Sequence, residues 1–170
     1  DINETLECWE IALKSKNTPS VIVLSRQKLP YIEKDILSKN LCEKGAYTVK
    51  TTSHDGDIVL VASGSELELA LKVQENLQEL KIDSKVVSMP CMELFEKQPV
   101  ENKKEIFEEN SLVFTFEAGS VSSWQKYSGD RGYSFGIDQF GESAPYKKIY
   151  EHFNLTEEKI CNLIQKHLRK

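Results

Sequence analysis

The sequence predicts an α/β protein: a doubly wound, mostly parallel sheet with helices on both faces, preceded by an α-β fragment of a second domain. After residue 46, short apolar runs alternate with longer amphipathic segments, which is typical of repeated β-α-β units. The apolar runs are hydrophobic on both strand faces, as parallel strands between two helix layers are. A polar, charged connector at residues 38–46 marks a domain boundary and divides the chain into residues 1–45 and 46–170.

The first 45 residues are predicted to contain one helix and one strand. Asp1 or Asn3 caps the helix, which runs to about Ser15 and ends before Pro19. Residues 20–25 are expected to form a short strand that is buried on both faces. About 40 residues cannot bury a core alone, so both elements need to dock on the following domain or on another chain. The apolar side of the helix consists of Leu6, Trp9, Ile11 and Leu13.

The elements of residues 46–170 follow from the alternation of the two patterns. Strands are expected at residues 46–50, 57–63, 85–90, 112–118 and 133–138. Helices are expected from about Ser65 to Leu80, at 100–110, as a short piece at 122–128, from Tyr146 to His152 and from Thr156 to His167. Right-handed crossovers between the parallel strands follow from the strand twist.

Composition and charge exclude several classes of function. The net charge is −5 and no basic run occurs, so neither nucleic acid nor an anionic membrane is an expected partner. No run approaches the roughly 20 apolar residues that a membrane span requires. The four cysteines show no CxxC spacing, which favours reduced thiols and a cytoplasmic location. Because the chain starts without methionine at a helix cap, we expect it to be a cut piece of a longer protein.

Ser65 and Glu68 lie where a predicted strand passes into a helix, a place where phosphate groups often bind. Their spacing fits a capping box, which would satisfy the free backbone N–H groups internally. Neither GxGxxG nor GxxxxGK[ST] surrounds them. We therefore favour a structural cap over a phosphate loop.

Two groups of residues suggest metal ligation. Residues 54–57, His-Asp-Gly-Asp, fit a turn before a strand better than a metal site, because Asp-Gly is a common turn pair. His152, Cys161 and His167 match no familiar zinc spacing. Both histidines lie near predicted helix ends, where a cation is favourable. We predict no metal ligand in either group.

Glu117 and Glu142 each lie beside a glycine in a loop that follows a predicted strand. Loops at the carboxyl ends of parallel strands are where doubly wound sheets usually bind ligands. A pair of carboxyl groups can act as acid and base only if the two lie close together and have separated pKa values. Structural or interface roles are therefore favoured over catalysis for both residues.

Arg26 follows the predicted strand at residues 20–25 and is flanked by a hydroxyl and an amide side chain. An arginine at the carboxyl end of a parallel strand directs five hydrogen-bond donors towards the usual ligand region. The alternative is a salt bridge to a neighbouring carboxylate, and the spacing alone favours that alternative.

Several short motifs occur in one order along nearly the whole chain. Ser-Arg-Gln follows the predicted strand at residues 20–25, Ser-Gly-Ser-Glu lies at residues 63–66 and Phe-Gly-Glu-Ser at residues 140–143. Together with the stretches "GAYTV", "KVVSMP" and "HFNLTEEKI", they resemble the carboxyl-terminal end of transketolase. By this resemblance, residues 1–45 are the tail of the pyrimidine-binding domain plus a linker, and residues 46–170 are the carboxyl-terminal domain.

The resemblance also implies a function for the longer protein. A full-length transketolase is a homodimer that transfers a two-carbon ketol unit between sugar phosphates, using thiamine diphosphate and a divalent metal such as Mg or Ca. In that family the arginine of Ser-Arg-Gln contacts the phosphate of the sugar. This substrate-binding role transfers to Arg26.

The catalytic residues of that family are not expected in these 170 residues. The Gly-Asp-Gly motif for metal and diphosphate is absent, and its nearest match is Gly56-Asp57-Ile58. The chain alone is therefore predicted to be inactive, with no catalytic, cofactor-binding or metal-binding residue and no bound cofactor. Two alternatives remain: another thiamine diphosphate enzyme, of the deoxyxylulose-phosphate synthase or pyruvate dehydrogenase beta type, and a purely structural or regulatory module.

Overall fold

A five-stranded sheet forms the centre of the protein. The structure is a computed structural model that describes residues 1–32, 39–52 and 58–169. The spatial order of the strands is β1-β3-β2-β4-β5. Strands β2 to β5 run parallel, and β1 pairs with β3 in the antiparallel sense at one edge, so the predicted doubly wound, mostly parallel sheet is confirmed. The strands are β1 (Tyr47–Thr51), β2 (Ile58–Ala62), β3 (Lys85–Ser88), β4 (Leu112–Phe116) and β5 (Tyr133–Phe135).

Helices connect the strands and extend beyond the sheet at both ends of the chain. They are α1 (Ile2–Lys14), α2 (Glu66–Glu79), α3 (Met92–Glu96), α4 (Val100–Ile106), α5 (Gln125–Ser128), α6 (Tyr146–His152) and α7 (Glu157–Leu168). A short 3₁₀ helix, Leu41–Lys44, precedes β1. Helix α3 and the 3₁₀ helix have no counterpart in the sequence-based prediction. Within the described residues, none of these helices has the length and hydrophobicity needed to cross a bilayer.

The sheet has a hydrophobic core on each face, because side chains alternate along every strand. In β2, Ile58, Leu60 and Ala62 face α2 and α7, whereas Val59 and Val61 face the layer of α3, α4 and α5. All five residues of β2 are buried, as expected for a central parallel strand. Each parallel strand passes into a helix at its carboxyl end, so these connections lie along one side of the sheet. The candidate site lies on that side, which we call the carboxyl edge.

Helix α1 docks on the rest of the protein through polar side chains. Asp1 caps it, and its Oδ1 accepts a hydrogen bond from the backbone N–H of Glu4 at 2.9 Å. Glu7 Oε2 accepts hydrogen bonds from the backbone N–H groups of Leu41 and Cys42 at 3.1 and 3.0 Å, which secures the 3₁₀ helix against α1. The predicted apolar side faces solvent instead: Leu6, Trp9 and Leu13 are 61%, 50% and 78% exposed.

The predicted strand at residues 20–25 is wrong. This segment pairs with no described strand, and Val21 and Val23 are 88% and 89% exposed rather than buried. A strand needs a neighbour to satisfy its backbone groups and layers to cover its faces, and no described element provides either. Of the two elements predicted before residue 40, α1 docks on the rest of the protein. Residues 20–25 do not join the described sheet.

Candidate functional site

The candidate site lies where β2 and β4 end side by side. From β2 the chain passes through α2 to β3 on one side, and then returns to β4 on the other side of β2. The connections that leave β2 and β4 therefore diverge at their carboxyl ends. In doubly wound sheets this switch point is where ligands usually bind.

Glu66 is the first residue of α2 and is almost fully buried at this switch point, with 4% of its surface exposed. Its Oε1 accepts a hydrogen bond from Ser65 Oγ at 2.8 Å and another from the hydroxyl of Tyr150 in α6. Burial and the neighbouring Glu66 carboxylate both raise the pKa of Tyr150, so its phenol stays protonated and donates. These donors compensate a carboxylate that would otherwise be buried without partners.

The predicted capping box of Ser65 and Glu68 is wrong. No side chain caps the first turn of α2. The Ser65 hydroxyl donates to the adjacent Glu66 instead, and Glu68 pairs with Lys72 one turn further along the helix at 2.9 Å. The Ser65 hydroxyl therefore serves as a donor to a buried carboxylate, whose desolvation it helps to compensate, rather than as an acceptor for a backbone N–H of the first turn.

Glu117 follows β4 and is the second carboxylate at the switch point. Its Oε2 accepts a hydrogen bond from Trp124 Nε1 at 2.9 Å. Burial raises the pKa of Glu117, the Trp124 hydrogen bond opposes this effect, and the charge of Glu66 raises the pKa further. Both carboxylates follow paired strand ends, since Ala62 at the end of β2 lies beside Phe116 at the end of β4. Glu142 lies on an exposed loop, and no hydrogen bond or ion pair of its side chain is found among the described residues.

The loops after β4 and β5 are joined closely beside Glu117. The backbone N–H of Ile137 donates to Gly119 O at 2.7 Å, and Asp138 Oδ1 accepts from Ser120 Oγ at 2.9 Å. A Cβ on Gly136 would lie 2.3 Å from Val121 Cγ1 and 2.7 Å from Gly119 O, so only glycine fits there. Two surface concavities, of about 220 and 400 Å³, lie elsewhere, around Phe95.

Arg26 follows residues 20–25, an exposed segment that approaches the carboxyl edge of the sheet. It is solvent-exposed, and among the described residues its guanidinium has no ion pair or hydrogen bond, so the salt-bridge alternative finds no partner there. The preceding residue, Ser25, places its Oγ 3.9 Å from the position that a Cβ on Gly64 would occupy. Gly64 follows β2, so Ser25 and Arg26 lie beside the carboxyl edge.

The candidate metal ligands are dispersed or fall outside the described residues. His152 ends α6 and contacts Phe153, the Cys161 thiol is buried near Val73 O at 3.6 Å, and the His167 ring packs edge-on against another aromatic side chain. Within the described residues, no group of three or more His, Cys, Asp or Glu side chains is arranged to hold a metal ion. Residues 54–57, for which a turn is expected, lie outside the described part.

Sequence reasoning missed the partners of Glu66. Tyr150 lies 84 residues from Glu66, and no local pattern marks such a pair. A buried glutamate at the start of a helix, next to a serine, indicates a need for donors but not where they come from.

Comparison with known proteins decides the family. The family described as "Transketolase-like TK C-terminal domain" matches residues 45–156. The chain belongs to the transketolase family. A transketolase of Aquifex aeolicus is 40% identical over 166 residues, which cover 96% of this chain and 24% of that protein. A transketolase of Rhodobacter capsulatus is 41% identical over 167 residues, which cover 95% of this chain and 25% of that protein.

Solved transketolase structures share the fold. A transketolase of Pichia stipitis in complex with sedoheptulose-7-phosphate superposes with a TM-score of 0.89 at 32% identity, covering 99% of this chain and 24% of that one. A transketolase of Leishmania mexicana superposes with a TM-score of 0.87 at 35% identity, over 99% and 24% of the two chains. The present chain spans about a quarter of the length of the transketolases it matches.

Proposed function

We propose that this chain is part of an enzyme that transfers a two-carbon ketol unit between sugar phosphates, using thiamine diphosphate and a divalent metal, Mg or Ca. Membership of the transketolase family supports this proposal, and the relatives that carry the name transketolase are about four times as long. We further propose that the whole protein is a cytoplasmic homodimer. The matched family favours transketolase over other thiamine diphosphate enzymes.

We assign residues 1–45 to the tail of the pyrimidine-binding domain and residues 46–170 to the carboxyl-terminal domain. The start of the family match at residue 45 and the position of α1 outside the sheet support this division. The residues present do not fit the cofactor: no metal-binding cluster occurs in the described part, and Gly-Asp-Gly is absent from the sequence. We therefore propose that other parts of the enzyme hold thiamine diphosphate and that these 170 residues alone are inactive.

Arg26 is proposed to bind the phosphate of the sugar. The observation that carries this assignment is an exposed guanidinium, without a described partner, on the residue that follows Ser25, whose side chain lies beside the carboxyl end of β2. A charge-assisted contact to phosphate contributes about 1.5–3 kcal/mol, or roughly 10- to 150-fold in binding. Because the phosphate is remote from the reacting carbon atoms, this contact orients the substrate and takes no part in bond cleavage.

The test uses the full-length enzyme and compares Arg26→Ala with the wild type. We expect the KM of phosphorylated donors to rise about 10- to 150-fold, while the KM of unphosphorylated ketose donors changes little. Arg26→Lys keeps the charge but loses bidentate geometry, so an intermediate KM is expected. Equal losses for both donor types would contradict the assignment, and absence of ketol transfer in the wild type would contradict the proposed activity.

A second candidate function is a structural module without a ligand of its own. The switch-point carboxylates favour it, because Glu66 and Glu117 are already held by Tyr150 and Trp124. Titration of the full-length enzyme with sugar phosphates and nucleotides, followed by hydrogen exchange, distinguishes the two. Saturable protection of residues 117–120 would indicate a ligand site in the carboxyl-terminal domain, whereas protection confined to Arg26 and its neighbours would favour the structural module.

A further inference from the structure

Ser25, in residues 1–45, lies close to Gly64, in residues 46–170. A Cβ on Gly64 would lie 3.9 Å from Ser25 Oγ, which is ordinary van der Waals contact for a methyl group and leaves no room for a longer side chain pointing that way. Gly64 also has φ of +53°, in the left-handed region that favours glycine. This approach lies one residue from Arg26, the proposed ligand of the sugar phosphate.

The segment that carries Arg26 has little support of its own. Residues 20–25 pair with no described strand, and most of their side chains are exposed. Further along, the backbone is held at Ile32, whose N–H donates to Asp1 Oδ2 at 3.0 Å and whose carbonyl accepts from Asn3 Nδ2 at 3.2 Å. Five residues lie between Arg26 and that anchor, so contacts near Ser25 have a large influence on where the guanidinium lies.

The loop that carries Gly64 is firmly held. The backbone N–H of Glu66 donates to Ser63 O at 3.2 Å, and that of Leu67 donates to Gly64 O at 3.3 Å. The buried Glu66 side chain joins this loop to α6 through Tyr150. A loop with these internal and long-range hydrogen bonds provides a fixed surface against which a weakly supported segment can rest.

We propose that Gly64 is a positioning residue for the sugar phosphate. The absence of a side chain longer than a methyl group at this position leaves the space in which Ser25 lies against the loop after β2, and this approach sets the location of the Arg26 guanidinium. The inference rests on the proposed function of Arg26. It gives the carboxyl-terminal domain a part in substrate binding that requires no ligand of its own.

The experiment compares Gly64→Asn and Gly64→Ala in the full-length enzyme. Asparagine tolerates left-handed backbone better than alanine but extends further towards Ser25. Backbone strain therefore predicts the larger effect for Gly64→Ala, whereas contact with Ser25 predicts the larger effect for Gly64→Asn. We expect Gly64→Asn to raise the KM of phosphorylated donors about five- to tenfold, less than full loss of the phosphate contact, with kcat and the KM of unphosphorylated donors little changed.

Two double variants test the route of the effect. Adding Ser25→Ala to Gly64→Asn removes the nearest atom and should lower the KM again towards that of Ser25→Ala alone. Adding Arg26→Ala should abolish the effect of Gly64→Asn, because residues that act as a unit are not additive. Gly129→Ala, at a glycine with φ of +57° and no neighbour within 4 Å of an added Cβ, is the remote control for strain and should leave the ratio of the two KM values unchanged.

The outcomes separate this inference from the function on which it rests. If Arg26→Ala affects phosphorylated and unphosphorylated donors equally, the proposed role of Arg26 fails. If Arg26→Ala is selective but Gly64→Asn is not, or if Gly64→Ala has the larger effect, the positioning role of Gly64 alone is overturned.

Discussion

The carboxylate of Glu4 accepts a hydrogen bond from the hydroxyl of Tyr47 at 2.8 Å, and the two residues lie 43 positions apart in the chain. The same oxygen accepts a second hydrogen bond from Ser88, in the neighbouring strand β3. Glu4 is only 5% exposed, so a buried carboxylate joins α1 to the edge of the sheet. Burial and the neighbouring Glu4 both raise the pKa of Tyr47, which keeps its hydroxyl protonated as a donor.

Tyr47→Phe should destabilise the protein by about 1–3 kcal/mol, because Glu4 would keep its buried charge and lose one donor. The free energy of unfolding in urea measures this. Tyr133→Phe is the matched control, since Tyr133 is 51% exposed and its ring contact with Phe135 would remain. An equal loss in both variants would show that the Tyr47 hydroxyl does not contribute through Glu4.

Glu117→Gln should change how stability depends on pH. Because burial raises the pKa of Glu117 in the folded state, the native protein holds this proton more tightly than the unfolded chain. Stability of the wild type is therefore lost as pH rises from the ordinary carboxyl pKa of about 4.3 through the raised value. Glu117→Gln lacks this loss and can still accept from Trp124, so its stability relative to the wild type should improve with rising pH.

Unfolding free energies of the wild type and Glu117→Gln from about pH 4 to pH 7 test this sign. Glu142→Gln is the control, because Glu142 lies on an exposed loop and its removal should leave the pH dependence nearly unchanged. A relative stability of Glu117→Gln that falls as pH rises would contradict the raised pKa.

Gly136→Ala should destabilise the protein by about 1–3 kcal/mol or more, because its methyl group would overlap both Val121 and the carbonyl of Gly119. The loops after β4 and β5 would have to separate, which would disturb Glu117. Gly141→Ala provides the control, since an added Cβ there meets nothing within 4 Å. Thermal unfolding of both variants decides the matter, and a similar Tm for the two would be the contradicting result.

Trp9→Lys and Leu13→Lys should affect the stability of the full-length enzyme more than that of the short chain. Both side chains are at least half exposed here, so in the 170-residue chain we expect less self-association and little change in unfolding free energy. In the full-length enzyme we expect lower stability, because residues 1–45 are proposed to be part of the pyrimidine-binding domain, whose remaining residues would cover these apolar side chains. Light scattering and urea unfolding measure the two effects.

Leu77→Ala is the contrast for that experiment. Leu77 is fully buried between α2 and the sheet, so its truncation should cost about 2–5 kcal/mol in either form of the protein. If Trp9→Lys destabilised the short chain as strongly as Leu77→Ala, the exposed position of Trp9 would be contradicted.

The parts of the fold that could be predicted are those with a strong local pattern. The apolar run of β2 and the amphipathic pattern of α2 were read correctly because a buried strand and a half-buried helix require those side chains at those spacings. The segment at residues 20–25 has an equally apolar pattern, yet it forms no strand. The apolar pattern shows only that the segment could form a buried strand. Strand pairing also needs a neighbouring strand, which the described residues do not provide.

The candidate site was predictable only in part. Glu117 was identified from its place after a strand, and its raised pKa comes from burial that the sequence does not show. For Glu142, the other loop carboxylate considered, no hydrogen bond or ion pair is found among the described residues, whereas Glu66 shares the switch point with Glu117 because α2 starts beside the end of β4. The local spacing of Ser65 is typical of a helix cap, but in the structure its hydroxyl donates to the neighbouring buried carboxylate of Glu66 and makes no capping hydrogen bond.

The amino-acid sequence alone was sufficient to predict the doubly wound sheet and the family resemblance, and to single out Arg26 as the candidate substrate-binding residue. All three depend on local patterns and short motifs. Packing in three dimensions was needed to bring Ser25 to Gly64, Glu66 to Tyr150 and Glu4 to Tyr47. Each of these pairs joins residues far apart in sequence. The contacts of Glu66 and Glu4 form because burial leaves charged groups that must find partners, and the fold determines which partners lie within reach.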